Sequence, residues 1–402
     1  MKGDIKEAVI LCAGRSTRTY PMTLRKPKPM LKIANRRIIE HLLMQLQGLV
    51  ERVVIVIGFE GQQLVRALGK RFNDVQITYV EQKEQRGTGD ALLTAQNHLS
   101  ERFLMLNGDD LLKRAAIELL LRHELCVLAS PHPQPWRFGV LMTEGEFVKA
   151  ILEKPKDAPP NSIVSTGAYA LTGAVFEMLR RIQPIDGREV MFTDIIPMLS
   201  SLGLRYEVTN DGWMPVTYPW DILLCTDWLM SEMYGRNIGG HIGSNVKLIG
   251  PIEMGSNCYV GSGAIIHGPC KLGDSVNIGE RTIVRSCAIG DNVTIGHGCE
   301  LNGCVIYDGA RIGNNVRLKR SVVGDGVKIC DGVSTLSETE SGVTVTSVIK
   351  GEAVDTGLKE VGAFIGDGAF IGEGCKLMAG VKVWAEAYIP PYCTVEADVI
   401  EG

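Results

Sequence analysis

The chain has 402 residues, a formal net charge of −4 and 11 cysteines. Its length is too great for one ordinary core and implies two domains, and its mildly acidic balance excludes a general nucleic-acid binder, which would be basic overall. The cysteines form no C-x-x-C pair, which argues against a zinc ribbon or a thioredoxin-like centre, and scattered thiols suit a reducing cytosol. The first apolar run is too short for a signal-peptide core and leads into a basic loop; no run approaches a membrane span. The expectation is a soluble cytoplasmic protein with no nucleic-acid or membrane partner.

The stretch 8–39 organises the chain. AVILCAG is a short apolar run ending in Gly14, followed by a loop carrying Arg15, Arg18, Arg25, Lys26, Lys28, Lys32, Arg36 and Arg37 with no acidic residue between them. Ile38, Ile39, Leu42, Leu43 and Leu46 then recur at helical spacing. Strand, basic loop, helix is the reading. A small residue at the carboxyl end of a strand lets backbone amides approach a phosphate, and the fixed cations would neutralise a polyphosphate; a solvated basic loop is the plainer alternative.

The pattern then alternates. Strands are expected at Val53–Ile57, Ile77–Val80, Phe103–Leu106, Val140–Met142, Ala150–Leu152 and Ala168–Leu171, and helices at Gln62–Leu68, Ala91–Leu99, Val175–Ile182 and Asp194–Leu199, with a last helix from Asp221 to about Tyr234. Such alternation implies a mostly parallel sheet covered by helices. From Gly239 apolar residues recur every six: Ile242, Leu248, Met254, Val260, Ile266, Leu272, Ile278, then Ile283, Ile289, Ile295, Leu301, then Ile306, Ile312, Leu318, then Val323 and Ile329, and finally Ile365 through Val395. A six-residue period is the signature of a parallel β-helix. Residues 334–361 interrupt it and read as a loop thrown out from one coil. The division is therefore 1–236 and 237–402.

Gly14-Arg15-Ser16-Thr17-Arg18, Pro21 and Pro27-Lys28-Pro29-Met30 resemble the signature of the sugar-1-phosphate nucleotidyltransferases, with Ser16 where that family usually has its second Gly. The resemblance implies a Rossmann-like, GT-A-like mixed α/β sheet followed by a left-handed parallel β-helix. It implies transfer of UMP or dTMP from UTP or dTTP to glucose 1-phosphate or N-acetylglucosamine 1-phosphate, with Mg²⁺. Arg18 and Lys28 are its catalytic cations. Ala13, Gly14, Ser16, Thr17, Gln82, Gly87 and Thr88 are its nucleotide residues. Gly139, Glu153, Lys154, Thr166 and Gly167 face the sugar phosphate, and Asp109 holds the metal; Asp221 is the nearest candidate for a second metal carboxylate, with an N-cap for the next helix as the alternative. Pro215 stands where many relatives carry the second metal Asp, and Asp110 reads as loop solvation or a helix cap.

Lys350-Gly351 through Asp367 resembles the matching stretch of the bifunctional nucleotidyl/acetyltransferases. Lys319 stands where those relatives have a His general base, and an Asn of the next coil is replaced near Ser337. Acetyl transfer is therefore expected to be lost, the β-helix serving assembly as a homotrimer. Two alternatives remain open at this point: a bifunctional enzyme, and a non-catalytic regulatory subunit that binds a nucleotide sugar.

Overall fold

The computed structural model describes residues 5–182, 189–339 and 342–400. Its contacts divide the chain into two compact units. The first contains Met1–Arg15, Pro27–Met30 and Ile38–Pro215, the second Ser16–Lys26, Leu31–Arg37 and Val216–Gly402. No helix among the described residues is long and apolar enough to cross a membrane.

The first unit is built on a ten-stranded mixed sheet, in the spatial order Gly139–Glu144, Phe147–Glu153, Arg205–Val208, Cys126–Pro131, Ile163–Thr172, Arg102–Asn107, Glu7–Cys12, Arg52–Ile57, Val75–Glu81, Arg71–Phe72. The strands starting at Arg102, Glu7, Arg52 and Val75 run parallel. They read as continuous apolar runs because both faces are covered: Val53, Val54, Ile55 and Val56 are all fully buried. Helix Ile38–Leu46 buries the five apolar residues that its spacing predicts. The other half of the sheet is largely antiparallel, so the sheet is less parallel than the alternating pattern suggests. The helix expected over 91–99 is Thr88–Thr94 followed by a 3-10 turn, Gln96–His98, and the last helix stops at Met230. Strands Cys126–Pro131 and Arg205–Val208 and helix Arg114–Leu120 had no distinct periodic signal.

The second unit is a stack of short parallel strands on three faces. Each strand pairs with the one 18 or 17 residues further on, as Ile266 does with Val284 and Val284 with Leu301. Three hexads therefore make one turn of the coil. One aliphatic side chain per hexad points inward, and these form a continuous core in which Ile266, Ile278, Val284, Leu301 and Ile306 are fully buried. Burying each such side chain contributes about 1.5–3 kcal/mol. Val284, not Ile283, is the inward residue, since Ile283 is only half-buried. The five-residue steps thus fall at 284–289, 301–306 and 318–323, once per turn, and they shorten those turns to 17 residues.

Polar side chains brace the corners. The backbone N–H of Asp274 donates to Asp291 (2.8 Å), that of Asp291 to Asp308 (2.9 Å), that of Asp308 to Asp325 (3.0 Å) and that of Asp325 to Asp367 (2.9 Å). This aspartate ladder supplies acceptors that the tight corners would otherwise lack. Cys258, Cys299 and Cys375 are buried and donate their thiols to backbone carbonyls. The 17- or 18-residue step is interrupted by one insertion, across which Val322 pairs with Phe364. The intervening chain carries an antiparallel hairpin, Thr346–Ile349 with Glu352–Asp355, and the Ser347 hydroxyl donates to Gly380 O at 2.7 Å. Residues 340–341 of the expected loop lie outside the described residues.

Candidate active site

In the first unit the parallel strands end side by side, where open α/β sheets bind ligands. Strand Glu7–Cys12 delivers Ala13 and Gly14. Strand Arg52–Ile57 delivers Gly58, and a Cβ there would stand 2.6 Å from Ala13 O. Strand Val75–Glu81 delivers Gln82, and Arg102–Asn107 delivers Gly108 and Asp109. A Cβ on Gly108 would strike Cys12 Sγ at 2.3 Å, so glycine is what lets the first and fourth of these strand ends close up. Burial, and secondarily the nearby charge of Asp109, push the Cys12 thiol up. A Cβ on Gly14 would meet nothing within 4 Å, which leaves its backbone open to a ligand.

Lys28 lies in the 3-10 turn Lys28–Met30. It is 6% exposed, and its Nζ donates to Asp109 Oδ2 at 2.7 Å. A cation and a carboxylate distant in sequence thus meet at the strand ends. Asp110 is neither a solvated loop residue nor a helix cap. It is buried in strand Asp110–Leu112, and its Oδ2 accepts the Trp213 indole N–H at 3.1 Å. Antiparallel pairing sets Pro215 opposite Asp110, one residue from Asp109.

Gln82 is buried, and its Nε2 donates to Gly87 O at 3.1 Å and to Asp90 Oδ2 at 2.8 Å. Both partners only accept, so the amide orientation is determined and Oε1 remains as an acceptor. Gln82 lines a cavity of about 590 Å³ together with Arg15, Gly58, Phe59 and Gln85. Gln85 Nε2 donates to Ala13 O at 3.1 Å, and the Arg15 guanidinium lies 5.8 Å from the Phe59 ring centre. Gly87 is at φ 99°, and a Cβ there would collide with Val190 O at 2.3 Å. The Thr88 hydroxyl accepts the Phe192 N–H at 2.9 Å. Asp90 lies in the segment 87–91 whose sequence resembles the family's base-reading segment, but its bond to Gln82, and the parts played by Gln85 and Asn107, carry no sequence signal.

Gly139 pairs with Glu153 across adjacent strands. Glu153 and Lys154 form a half-exposed ion pair of 2.8 Å, with Lys154 at φ 46°. Strand Ile163–Thr172 bulges between Ser165 and Tyr169, and bulges of this kind re-aim backbone at sites. Within the bulge the buried Thr166 hydroxyl donates to Leu128 O at 2.9 Å. Gly167, at φ 76°, packs so close that a Cβ would stand 2.0 Å from Asn107 Nδ2. Gly167 therefore touches the residue two before Asp109.

Ser16, Thr17, Arg18 and Asp221 belong to the second unit. Ser16 adopts the left-handed conformation, φ 51° and ψ 46°, at a cost of roughly 1–2 kcal/mol for a residue with a Cβ. Its carbonyl accepts the Thr23 hydroxyl at 2.9 Å. Arg18 is exposed and makes no ion pair with a described residue. Asp221 is 3% exposed, and its Oδ2 accepts the backbone N–H groups of Thr217 (2.7 Å) and Tyr218 (2.9 Å). Three cations of the basic loop are committed inside this unit: Arg25 to Glu386, Lys26 to Asp325 and Asp367, and Lys32 to Asp308. They are not free to neutralise a polyphosphate, which corrects the expectation for those three.

Among the described residues there is no cluster of three or more His, Cys, Asp or Glu that would hold a metal unaided. A divalent cation in phosphoryl chemistry is commonly held by one or two carboxylates together with substrate phosphates. Asp109, partly exposed beside the open loop, fits that mode.

Residues 7–227 match the nucleotidyl transferase family. The chain belongs to that family. Residues 248–359 match the GMPPB C-terminal domain. The chain is 33% identical over 249 residues to the bifunctional protein GlmU of Methanococcus maripaludis, a match covering 61% of this chain and 59% of that protein, so it spans about three fifths of the relative's length. It is 31% identical over 227 residues to the UTP–glucose-1-phosphate uridylyltransferase AglF of Haloferax volcanii, covering 54% of this chain and 93% of that one. A crystal structure of UDP-glucose pyrophosphorylase with UDP-glucose superposes with a TM-score of 0.51 at 22% identity, covering 57% of this chain and 99% of that one; this likeness concerns the fold. Nucleotidyltransferases of this kind generally use a divalent metal.

Proposed function

We propose that the chain is a sugar-1-phosphate nucleotidyltransferase that transfers UMP or dTMP from UTP or dTTP to glucose 1-phosphate or N-acetylglucosamine 1-phosphate, releasing pyrophosphate. The observation that carries this reading is the Lys28–Asp109 pair at the strand ends. The reaction is in-line attack of a sugar-phosphate oxygen on the α-phosphorus, with two anions brought together and pyrophosphate leaving. Such a step needs alignment and charge screening rather than a covalent nucleophile.

The roles are those that the family resemblance implies for these side chains. The Ala13–Gly14 backbone, with Ser16 and Thr17, receives the triphosphate. Arg18 holds the departing phosphates, and Lys28 donates to the phosphate oxygens where charge builds up. Asp109 would hold Mg²⁺, which when bound would supply charge neutralisation and Lewis acidity. Asp221 is the second candidate carboxylate, and the two backbone bonds it already accepts compete with that role. Glu153 takes a sugar hydroxyl and Lys154 the sugar phosphate, while Gly139, Thr166 and Gly167 let the sugar lie against backbone. Gly87 and Thr88 keep the chain close to the base.

Base choice rests on Gln82. Its oriented Oε1 accepts from the imide N–H of uracil or thymine, and the ring nitrogen of cytosine in that place offers no donor. Asp90→Asn removes the fixed acceptor and lets the amide turn. We expect the preference for UTP over CTP to fall about tenfold, one hydrogen bond's worth, as measured by kcat/KM on the two nucleotides.

The coil fits an assembly role. We read it as left-handed from its resemblance to hexapeptide-repeat proteins, and the active form as a cytoplasmic homotrimer; eleven free cysteines among the described residues suit that compartment. Residues 1–236 would carry the transfer chemistry and 237–402 the assembly. Acetyl transfer is read as lost. Lys319 Nζ lies 2.6 Å from Glu338 and 3.0 Å from Glu360. The hydrogen bond to Glu338 leads the causes that hold its pKa above the usual lysine value, and a base must first be deprotonated. The test is pyrophosphorolysis. UDP-glucose, UDP-N-acetylglucosamine or their dTDP counterparts should yield UTP or dTTP with pyrophosphate and Mg²⁺; no nucleoside triphosphate from any of them would overturn the reading.

A further inference from the structure

Segment Ser16–Lys26 holds two nucleotide residues of the reading above, Ser16 and Thr17, and the catalytic cation Arg18 at one end and a buried lysine at the other. Lys26 is 8% exposed. Its ammonium bonds Asp325 and Asp367, at 3.0 Å for Asp367 Oδ1, and lies 5.2 Å from the Tyr307 ring centre. The Tyr307 hydroxyl accepts the Lys32 N–H at 3.2 Å and donates to Lys32 O at 3.0 Å, and Lys32 Nζ pairs with Asp308. Within the segment Arg25 pairs with Glu386, and the Tyr20 ring meets Trp384 edge-on at 6.3 Å.

The coil does not need these cations. Asp308, Asp325 and Asp367 are rungs of the aspartate ladder, whose work is to accept a backbone N–H from the preceding turn. Asp274 and Asp291 do the same work on neighbouring turns and pair with no lysine or arginine among the described residues. The lysine pairing is therefore additional to what the coil requires. The segment gains more from it, because its own backbone bonds are short turns: Thr19 to Ser16, Met22 to Thr19 and Leu24 to Pro21. Holding a binding loop in its bound shape removes an ordering cost from ligand binding.

We propose that the coil fixes the conformation of segment Ser16–Lys26 within the second unit, with Lys26 as the positioning residue: the bonds to Asp325 and Asp367 hold the loop that carries Arg18 in the shape in which it meets the triphosphate. This rests on the nucleotidyltransferase reading. A lysine buried between two aspartates remains charged. Burial works against it, but the two carboxylates outweigh that and hold its pKa above the usual lysine value, so the anchor persists across neutral pH.

The test uses the full chain. Lys26→Met should raise KM for the nucleoside triphosphate at least tenfold and leave KM for the sugar 1-phosphate within twofold. Lys26→Arg should restore most of the loss. The double variant Asp325→Asn with Asp367→Asn should reproduce it while keeping the ladder, since Asn314 accepts a backbone N–H from His297 at 2.9 Å on another corner. Arg285→Ala, which breaks a pair with Glu300 on the coil, should change neither constant. Equal rises in both KM values, or none in the lysine and aspartate variants, would overturn the proposal. Trypsin gives a readout free of turnover: cutting after Arg18 and Arg25 should be at least tenfold faster in Lys26→Met, and unchanged cutting would overturn the anchoring. A wild-type chain inactive on every substrate pair would contradict the proposed function alone and leave the tryptic rates to decide whether Lys26 holds the segment.

Discussion

Lys28→Met is expected to lower kcat by about 10²–10³-fold, the usual loss when one preorganised donor to developing charge is removed. Methionine keeps the length and apolar bulk of lysine and deletes only the ammonium. The change falls on kcat because the phosphate charge that Lys28 meets is greatest as pyrophosphate departs. Asp109 loses its partner as well. Breaking a fully buried pair costs about 3–5 kcal/mol, but the Asp109 side chain is 37% exposed and water screens it, so the stability loss should be about 1–2 kcal/mol. A fall in melting temperature of a few degrees with a hundredfold fall in kcat fits this account. A variant that melts normally and turns over normally would remove Lys28 from the site.

Asp109→Asn is expected to act differently. Asparagine keeps the shape and one oxygen but loses the charge that would attract a divalent cation. kcat/KM at fixed Mg²⁺ should fall about 10²-fold, the scale of one lost electrostatic contact in a transition state. The Mg²⁺ concentration at half-maximal rate should rise, and Mn²⁺ titration followed by paramagnetic relaxation should show weaker binding in the presence of nucleotide. In Lys28→Met the metal titration should keep its midpoint. An Asp109→Asn midpoint equal to wild type would assign the carboxylate to holding Lys28 rather than metal.

Much of the architecture is legible because each element has its own period. The hexads are visible because one side chain per six must fill a narrow core, and even the slips reflect turns of 17 rather than 18 residues. The error at Ile283 arises where two aliphatic residues stand together and only the fold decides which points in. Strand Cys126–Pro131 escapes notice because a short buried run carries no period. Charge is harder to read than hydropathy. The basic loop looks like one polyphosphate clamp, yet Lys26 and Lys32 pair with aspartates nearly 300 positions away, and charge alone does not separate them from Lys28, which only the Pro-Lys-Pro-Met motif marks out. Asp110 is misread for the same reason, since its partner, Trp213, lies on a distant strand. Gly167 was legible as a small residue, but its contact with Asn107 was not.

The most direct test of the central claim is pyrophosphate release by the full chain with Mg²⁺, across UTP, dTTP, GTP, CTP and ATP, each with glucose 1-phosphate and N-acetylglucosamine 1-phosphate. The account predicts release confined to UTP or dTTP with one or both sugar phosphates, abolished by a chelator and lost in Lys28→Met. No release from any pair, with a nucleotide sugar still binding by calorimetry, would contradict it and point to a regulatory subunit.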